Sequence, residues 1–224
     1  MSPTIVALVP MRHESERVPG KNYRPLGGRP LFHHIVSALE HCARITKTVI
    51  DTDSKLIRED ATNSFPRVEV IDRPAHLRDG ATPMNSILLH DVQEVEADLY
   101  LQTHSTNPLL RSDSIERAIE AFIAASGTYD SLFSVTRLQT RLWSGDGTPI
   151  NHERHVLART QDLPPVFEEN SCVYLFSRAS LELRGNRIGE RPLMFELPKD
   201  EAWDIDDEMD FVMAEALYMK RQSA

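Results

Sequence analysis

The chain has 224 residues, of which 41% are hydrophobic and 26% charged, a composition that is typical of a folded globular protein and excludes a disordered or fibrous one. Its length is near the upper limit for one hydrophobic core, so a single domain over residues 1–224 is predicted. The formal net charge of −9 argues against nucleic-acid binding and anionic-membrane binding, because both require an extended basic face.

Short β-branched runs alternate with segments of helical periodicity along much of the chain. Strands are predicted at 4–9, 46–51, 67–71, 98–103, 132–136 and 171–176, and helices after Pro30 and at 54–61, 84–95, 113–125 and 208–219. Asp113 and Glu116 have the spacing of a capping box at the start of the fourth helix. The alternation predicts an α/β fold in which helices cover both faces of a mostly parallel sheet.

Residues 137–167 interrupt this alternation, since they carry Trp143, several glycines and prolines and few periodic apolar residues. We expect an arm or insertion here, with a disordered loop as the alternative. Cys42 and Cys172 lie far apart in apolar sequence and are predicted to be buried thiols rather than a disulfide or zinc ligands. The first apolar run is too short for a signal peptide or membrane span, so a cytoplasmic location is expected.

A group of cations follows the first predicted strand: Arg12, Arg17, Lys21, Arg24 and Arg29. Guanidinium and ammonium groups at a strand end are natural partners of phosphate oxygens. Ligands of such sheets bind beyond the carboxyl ends of the strands, where Arg73 and the stretch HSTNPLLR are also predicted to lie. The alternative is a solvated loop that balances Glu14 and Glu16. The patterns GxxxxGK[ST] and GxGxxG do not occur, which argues against a P-loop NTPase and a dinucleotide oxidoreductase.

A pair of carboxylates near the other end of the chain complements these cations. Asp204 and Asp206 are two residues apart, a spacing that puts both side chains on one side of an extended segment. Two oxygen ligands beside a triphosphate suit Mg²⁺. The alternative is that Asp206 and Asp207 cap the last helix, but this leaves Asp204 without a role. We therefore predict a magnesium site at Asp204 and Asp206, with Asp207 and Asp210 as cap and surface.

The order of residues in PMRHESERVPGKNYRPLGGRPL resembles the signature of the cytidylyltransferases that activate acidic sugars, the CMP-acylneuraminate synthetases and their relatives. Five further segments resemble that family in the same order: RPAHLRDGAT, DLYLQTHSTNPLLR, DSLFSVT, RTQDLPPVFEENSCVYLFSR and AWDIDDEMDFVMAE. One such match is weak evidence, whereas six collinear matches over nearly the whole chain identify a divergent member of the family.

The resemblance implies a three-layer Rossmann-like nucleotidyltransferase fold with a small dimerisation arm at 137–167. It also implies transfer of CMP from CTP to an acidic 2-keto sugar, such as a sialic acid-like nonulosonate, with Mg²⁺ as cofactor, release of pyrophosphate and a homodimer as the working form. The nucleotide-binding residues it implies are Arg12, Ser15, Arg17, Lys21, Asn22 and Arg73. Lys21, Asp204 and Asp206 are implied as catalytic, the two aspartates as metal ligands, and His104 or Gln102, Arg159 and Asn170 as acceptor-binding.

The chain departs from the family pattern at several of these positions. Glu14 and Glu16 replace a Gly and a Lys, and Ser171 with Cys172 replaces a Gly-Ala pair. An alignment without a gap puts His104 where the family has a sugar-contacting Gln; Gln102 takes that role if the loop holds a two-residue insertion. The departures indicate an unusual acceptor. They leave open a Kdo-like or other small acid, a nucleotidyltransferase for UTP or another base, and a nucleotide-binding relative that has lost catalysis.

Overall fold

The computed structural model describes residues 3–15 and 17–223. Its strands are β1 Ile5–Leu8, β2 Pro25–Leu26, β3 Arg29–Pro30, β4 Lys47–Thr52, β5 Val68–Asp72, β6 Leu99–Gln102, β7 Ser131–Leu138, β8 Val166–Phe176 and β9 Pro192–Glu196. Its α-helices are α1 Leu31–His41, α2 Lys55–Ser64, α3 Met84–Glu94, α4 Ser112–Ala124, α5 Arg178–Arg184 and α6 Glu208–Gln222.

Seven strands form one central sheet in the order β5-β4-β1-β6-β8-β7-β9. β5, β4, β1 and β6 pair in parallel, whereas β8 runs antiparallel to both β6 and β7. β9 extends the sheet in parallel with β7. The short strands β2 and β3 form a separate hairpin. The mostly parallel sheet predicted from the sequence is confirmed, with β8 as its reversed strand.

Helices cover both faces of the sheet, and β1 explains why its sequence is apolar throughout. Ile5, Ala7 and Val9 pack into the core on the side of α1, α2 and α4. Val6 and Leu8 pack into the core on the opposite side, with α3 and α5. Because successive side chains of a strand point to opposite faces, a strand between two helical layers buries every residue. The protein therefore has the three-layer Rossmann-like architecture predicted for it.

Some predicted elements need correction. Helix α4 begins at Ser112 after Arg111, so Asp113 lies in its first turn and the predicted capping box with Glu116 is wrong. The backbone N–H at Arg111 instead donates to Oε2 of Glu201 at 3.0 Å. Helix α5 and edge strand β9 were missed, because one is seven residues long and the other reads PLMFE, which lacks a clear alternation.

The predicted arm is shorter than 137–167, because β7 and β8 continue into both of its ends and leave 139–165 outside the sheet. Hydrogen bonds from Asn151 connect the two ends of the arm, since its Nδ2 donates to the carbonyls of Thr140 and Pro164 at 2.7 and 3.0 Å. Apolar side chains of the arm nevertheless face solvent, and Leu157 is 89% exposed.

Both cysteines are free and buried, as predicted. Among residues 3–15 and 17–223, no helix combines the length and the apolar composition that crossing a bilayer requires. The carboxyl ends of β1, β4, β5 and β6 lie at one edge of the sheet, and the loops that leave this edge build the site described next.

Candidate active site

A cleft of about 530 Å³ opens at this edge of the sheet and brings four distant parts of the chain together. They are the loop after β1, Arg73 just beyond β5, the turn after β6 and the segment before α6. Nine of the predicted site residues line this cleft: Arg12, Ser15, Arg17, Lys21, Asn22, Arg73, His104, Asp204 and Asp206. Three more, all within the described ranges, lie outside it: Gln102, Arg159 and Asn170.

The cations of the opening loop meet the carboxylates of the C-terminal segment inside this cleft. The Nζ atom of Lys21 donates to the backbone carbonyl of Ile205, between the two aspartates, at 2.6 Å. Nη2 of Arg17 lies 2.7 Å from Oδ1 of Asp206. Burial lowers the pKa of the Lys21 ammonium, although Asp204 and Asp206 act in the opposite direction. Segments 184 residues apart thus share one polar cleft.

Four aspartates lie just before α6 and in its first turn, and they form two pairs: Asp204 with Asp206, and Asp207 with Asp210. Burial and then the charge of Asp206 raise the pKa of Asp204, against a hydrogen bond with Thr106. Oδ1 of Asp204 is buried and has no hydrogen-bond partner among residues 3–15 and 17–223. Asp207 and Asp210 form a reciprocal capping box at the start of α6, with N–H to carboxylate distances of 3.0 and 3.1 Å. The helix cap thus leaves Asp204 and Asp206 to the cleft, and a buried oxygen without a donor suits a metal ligand.

Arg73 reaches the cleft from a fixed position rather than on a mobile side chain. It is 2% exposed, and its Nε donates to Oδ1 of Asp51 on β4. Asp51 in turn faces Asp91 of α3, with carboxylate atoms within 4.8 Å. Burial, the charge of Asp51 and a hydrogen bond to Asp51 raise the pKa of Asp91 to about 9, while Arg73 acts against them. Asp91 therefore holds its proton at neutral pH beside Asp51 and Arg73.

Asn22 shapes the opening loop. Its Nδ2 donates to the carbonyl of Arg12 at 2.7 Å, and its Oδ1 accepts from the Ser105 hydroxyl at 2.6 Å. These bonds join the loop after β1 to the turn after β6. Both the NH₂ group and the oxygen of the amide already have protein partners. Asn22 therefore contributes to the site mainly by holding these two segments together.

Two of the five cations predicted to bind phosphate do something else. Arg24 donates from Nη1 to both carboxylate oxygens of Glu208 at 2.6 and 2.7 Å and lies 4.0 Å from the ring centroid of Phe211. Arg29 donates to the hydroxyl of Ser37 at 2.8 Å. For Arg24 and Arg29 the phosphate-binding prediction is wrong, because they fasten the loop to α6 and α1.

The structure distinguishes the two candidates for acceptor contact near the end of β6. His104 lines the cleft, whereas Gln102 is fully buried and its Nε2 lies 3.0 Å from Nε2 of His104. The alignment without a gap therefore puts the side chain that faces the cleft in the family position. Asn170 is 9% exposed, is bonded to Ser134 and Thr136 and does not line the cleft, so its predicted contact with an acceptor stays a prediction.

Arg159 lies on the arm, where its side chain is 74% exposed and pairs with Asp162 at 2.6 Å. Within one chain it does not reach the cleft, and its predicted contact with an acceptor remains a prediction for an assembly of two chains. Of the two glutamates in the opening loop, Glu14 lines the cleft. Glu16 lies outside the described residues, and Arg17 contacts Asp206.

Ser171 stands in a left-handed backbone conformation, with φ of 57°, at the wall of the cleft. This region favours glycine, the residue that the resembling family carries there. Ser171→Gly is expected to stabilise the fold by about 0.5–1 kcal/mol, because relief of the strain outweighs the extra entropy of an unfolded glycine. Urea unfolding measures the difference. Ser171→Ala is the matched control: it keeps the strain, so a similar gain there would contradict this explanation.

Several functional candidates escaped the sequence analysis. Asp51 and Asp91 lie in ordinary strand and helix sequence, and Arg187 lies in a segment with no assigned structure. None carries a local motif, and each acquires hydrogen-bond or carboxylate neighbours from other elements of the chain. The spacing of residues within one element holds no signal for such contacts.

The sequence model of one family, described as cytidylyltransferase, matches residues 6–218. The chain belongs to the cytidylyltransferase family. The cleft assembled from the loop after β1 and the segment before α6 is therefore the candidate active site of a family member.

Relatives of known name match at modest identity. N-acylneuraminate cytidylyltransferase A of Danio rerio is 28% identical over 94% of this chain and 50% of its own length. Pseudaminic acid cytidylyltransferase of Campylobacter jejuni is 23% identical over 95% of both chains, and CMP-N,N'-diacetyllegionaminic acid synthase of Legionella pneumophila is 25% identical over 98% of both. The chain spans about half the length of the Danio rerio relative and of a Streptococcus agalactiae N-acylneuraminate cytidylyltransferase.

Solved structures confirm the fold. CMP:2-keto-3-deoxy-manno-octonic acid synthetase complexed with CTP superposes with a TM-score of 0.74 and 16% identity over 97% of this chain and 99% of that one. 4-diphosphocytidyl-2C-methyl-D-erythritol synthase from Anaerococcus prevotii gives a TM-score of 0.72 and 11% identity over 98% and 97% of the two chains. At these identities the likeness is one of fold alone.

Proposed function

We propose that this chain transfers CMP from CTP to an acidic 2-keto sugar of the sialic acid type and releases pyrophosphate. The observation that carries the proposal is the contact between Lys21 and the carbonyl of Ile205, at 2.6 Å, since it brings the cationic loop and the carboxylate pair to one cleft. Membership of the cytidylyltransferase family supports the choice of CTP. Relatives named for sialic, pseudaminic and legionaminic acids support an acidic sugar as acceptor.

In this proposal the triphosphate lies along the opening loop. Arg12, Ser15 and Lys21 line that side of the cleft and supply positive charge and hydrogen-bond donors for phosphate oxygens. Arg17 exchanges part of its contact with Asp206 for the nucleotide. Arg73 presents a fixed guanidinium from the β5 side. A preorganised set of cations stabilises the charge that develops as pyrophosphate departs.

Asp204 and Asp206 are the residues that would hold Mg²⁺. They fit this role because both face the cleft and because the buried Oδ1 of Asp204 meets no donor in the described part of the chain. When bound, the ion supplies Lewis-acid stabilisation of phosphate charge. The chain's own part is to keep the carboxylates aligned, and the capping box at Asp207 and Asp210 fixes the backbone that follows them.

The reaction is a substitution at phosphorus. An acceptor hydroxyl oxygen forms a bond to the α-phosphorus of CTP, the bond from that phosphorus to the bridging oxygen of the β-phosphate breaks, and the hydroxyl proton passes to solvent. The protein positions both substrates and neutralises charge, a sufficient role in phosphoryl-type transfer. His104 contacts the acceptor from the β6 side of the cleft in this proposal, with Gln102 behind it.

Incubation with CTP, Mg²⁺ and a panel of 2-keto sugar acids tests the proposal, with the CMP-linked product identified by mass. The panel contains nonulosonates, Kdo and smaller keto acids, so that a Kdo-like acceptor is separated from a sialic acid-like one. Thermal shifts with the four nucleoside triphosphates are run in parallel. Stabilisation by CTP without product from any acceptor would favour a nucleotide-binding relative that has lost catalysis, and a preference for UTP would favour another nucleotidyltransferase.

We propose further that two chains form the working enzyme through the arm. Exposed apolar side chains support this: Trp143 is 49%, Ile150 56% and Leu157 89% exposed. Several exposed apolar side chains within one segment are typical of an interface. Arg159 then reaches the neighbouring cleft and pairs with the carboxylate of the acceptor.

Leu157→Glu is expected to convert a dimer into a monomer at micromolar concentration, because it puts a charge into the proposed apolar contact. Light scattering on the purified proteins measures the change in mass. The matched control is Leu183→Glu, since Leu183 is 78% exposed and belongs to α5, not to the arm. A monomeric wild-type protein, or a dimer unaffected by Leu157→Glu, would contradict this part of the proposal.

A further inference from the structure

Arg187 has a buried setting that the proposed nucleotide and metal contacts leave unexplained. It lies between α5 and β9, with its guanidinium carbon 3.5 Å from the ring centroid of Tyr174. Its Nη1 donates to Oε1 of Gln102, and its backbone N–H donates to Oδ1 of Asn85 at 3.2 Å. Gln102 and Tyr174 are cross-strand neighbours of β6 and β8, so Arg187 spans the junction between the parallel and antiparallel parts of the sheet.

This contact fixes which way the Gln102 amide points. A guanidinium group has hydrogen-bond donors and no acceptor, so the amide atom that faces Arg187 has to be the oxygen. The NH₂ group then points the other way, where its nitrogen lies 2.9 Å from the carbonyl oxygen of Thr103 and 3.0 Å from Nε2 of His104. One hydrogen serves each of these two acceptors, and a flipped amide would place its NH₂ group against the Arg187 donor.

The same argument fixes the proton on His104. An NH₂ group can only donate, so Nε2 of His104 accepts and carries no hydrogen. A neutral imidazole that accepts at Nε2 holds its hydrogen on Nδ1. The surroundings of the ring favour the same neutral form. Burial, Arg187 and Lys21 lower the pKa of His104 to about 3, and Asp206 acts against them. His104 is thus uncharged at neutral pH, with its Nδ1 side left for the cleft that it lines.

We propose that Arg187, acting through Gln102, locks His104 as the neutral Nδ1–H tautomer, so that His104 donates a hydrogen bond to an acceptor oxygen and does not serve as a general base. The inference rests on the proposed function for the identity of the acceptor, but the lock itself is a property of the free protein. Arg187 and Gln102 are positioning residues, and His104 is the group that touches the acceptor. A carboxylate or hydroxyl oxygen is the matching partner for such a donor, as an acidic sugar provides.

The lock is tested by ¹⁵N NMR of the histidine-labelled protein without substrates, with the His104 signal assigned from its loss in His104→Gln. The expected spectrum shows a protonated Nδ1, an unprotonated Nε2 and no titration between about pH 5 and 8. In Arg187→Met the ring is expected to sample both tautomers, whereas Arg187→Lys, which keeps a donor, restores the wild-type pattern. Arg178→Met changes an exposed arginine of α5 and serves as the control.

A wild-type spectrum with hydrogen on Nε2, or with titration between pH 5 and 8, would overturn the proposal, as would an unchanged spectrum in Arg187→Met. The NMR spectrum is recorded without substrates and does not depend on turnover of any acceptor. A failure of the lock is therefore distinguishable from a failure of the proposed function. If Arg187→Met does not fold, Gln102→Glu supplies a second test, because a carboxylate at 102 accepts from His104 and favours hydrogen on Nε2.

Kinetics test the contact with the acceptor. Gln102→Glu is expected to raise KM for the acceptor about tenfold, the value of one well-placed hydrogen bond, with KM for CTP unchanged. A purely structural role for Gln102 would raise both constants or lower the amount of folded protein. An unchanged KM for the acceptor, in a variant whose NMR spectrum shows the altered tautomer, would contradict the proposed contact between His104 and the acceptor. It would not contradict the proposed control of the His104 tautomer.

Discussion

Asp204→Asn is expected to lower the rate of CMP transfer by about 10²–10³-fold, the loss that follows removal of one preorganised charge-stabilising group. The substitution keeps the size of the side chain and removes the charge that the proposed magnesium site requires. Since burial raises the pKa of Asp204, the ionised carboxylate costs the folded state free energy, and Asn carries no such cost. The variant should therefore be at least as stable as the wild type.

Asp206→Asn is expected to lower the rate to a comparable extent by removing the second carboxylate. Its ion pair with Arg17 joins side chains that are 54% and 66% exposed, and such pairs contribute within about 1 kcal/mol to stability. Initial rates measured across a range of Mg²⁺ concentrations, with saturating CTP and acceptor, give the comparison. If the two aspartates hold the ion, both variants require more Mg²⁺ for half-maximal rate.

Asp207→Asn is the matched control for both substitutions. It makes the same change in charge next to Asp206, but Asp207 accepts from the backbone N–H of Asp210 at the start of α6. Asn caps helices about as well as Asp, so stability and activity should both be retained. An equal loss of activity in Asp207→Asn would mean that the overall charge of this segment matters, and the assignment of Asp204 and Asp206 as metal ligands would then be wrong.

The layered sheet was predictable because each predicted strand and helix carries its own periodic pattern. The strand β1 is apolar at every position, and this pattern alone indicates a strand buried on both faces. The edge strand β9 and the short helix α5 have no comparable pattern, and they acquire their structure from packing against neighbours that are distant in the sequence.

The residues of the cleft were predictable only in part. Lys21 and Asp204 lie in collinear family-like segments, and they do meet in the cleft. Arg24 and Arg29 lie near Lys21 in the sequence, but the turn at Gly27 and Gly28, with φ of 56° and 82°, folds this part of the loop into the β2–β3 hairpin. Proximity in sequence indicated a common function for all five cations, whereas the direction of the backbone after Tyr23 separates these two from the others.

The wild-type protein is expected to lose stability as the pH rises from about 4 to about 9. Asp91→Asn is expected to remove most of this pH dependence. The pKa of Asp91 is about 9 in the folded protein, against an ordinary value of 3.8. Between these two values the folded state holds a proton that the unfolded state has released, so the free energy of unfolding falls as pH rises, by at most about 1.4 kcal/mol per pH unit. Below pH 4 both states are protonated and the effect disappears.

The charges around Asp91 explain why a neutral group suits this position. Asp51 and Glu94 raise its pKa, as does burial, and Arg73 lowers it. Arg73 and Asp51 already form a neutral pair, so a second ionised carboxylate would lack a counter-charge in the core. An asparagine amide can donate to Oδ2 of Asp51, the buried atom that has no partner among residues 3–15 and 17–223, and it stays uncharged at every pH.

Urea unfolding at pH 5, 7 and 8.5 measures the effect, with the wild type losing stability across the series and Asp91→Asn staying nearly constant. Asp51→Asn is the contrasting variant. It leaves Arg73 as an uncompensated buried cation and should destabilise the protein by about 3–5 kcal/mol. It should also weaken CTP binding, since Asp51 fixes the guanidinium at the cleft. Equal pH slopes for wild type and Asp91→Asn would show that Asp91 is ionised in the folded protein, and two ionised carboxylates would then lie beside Arg73 rather than one.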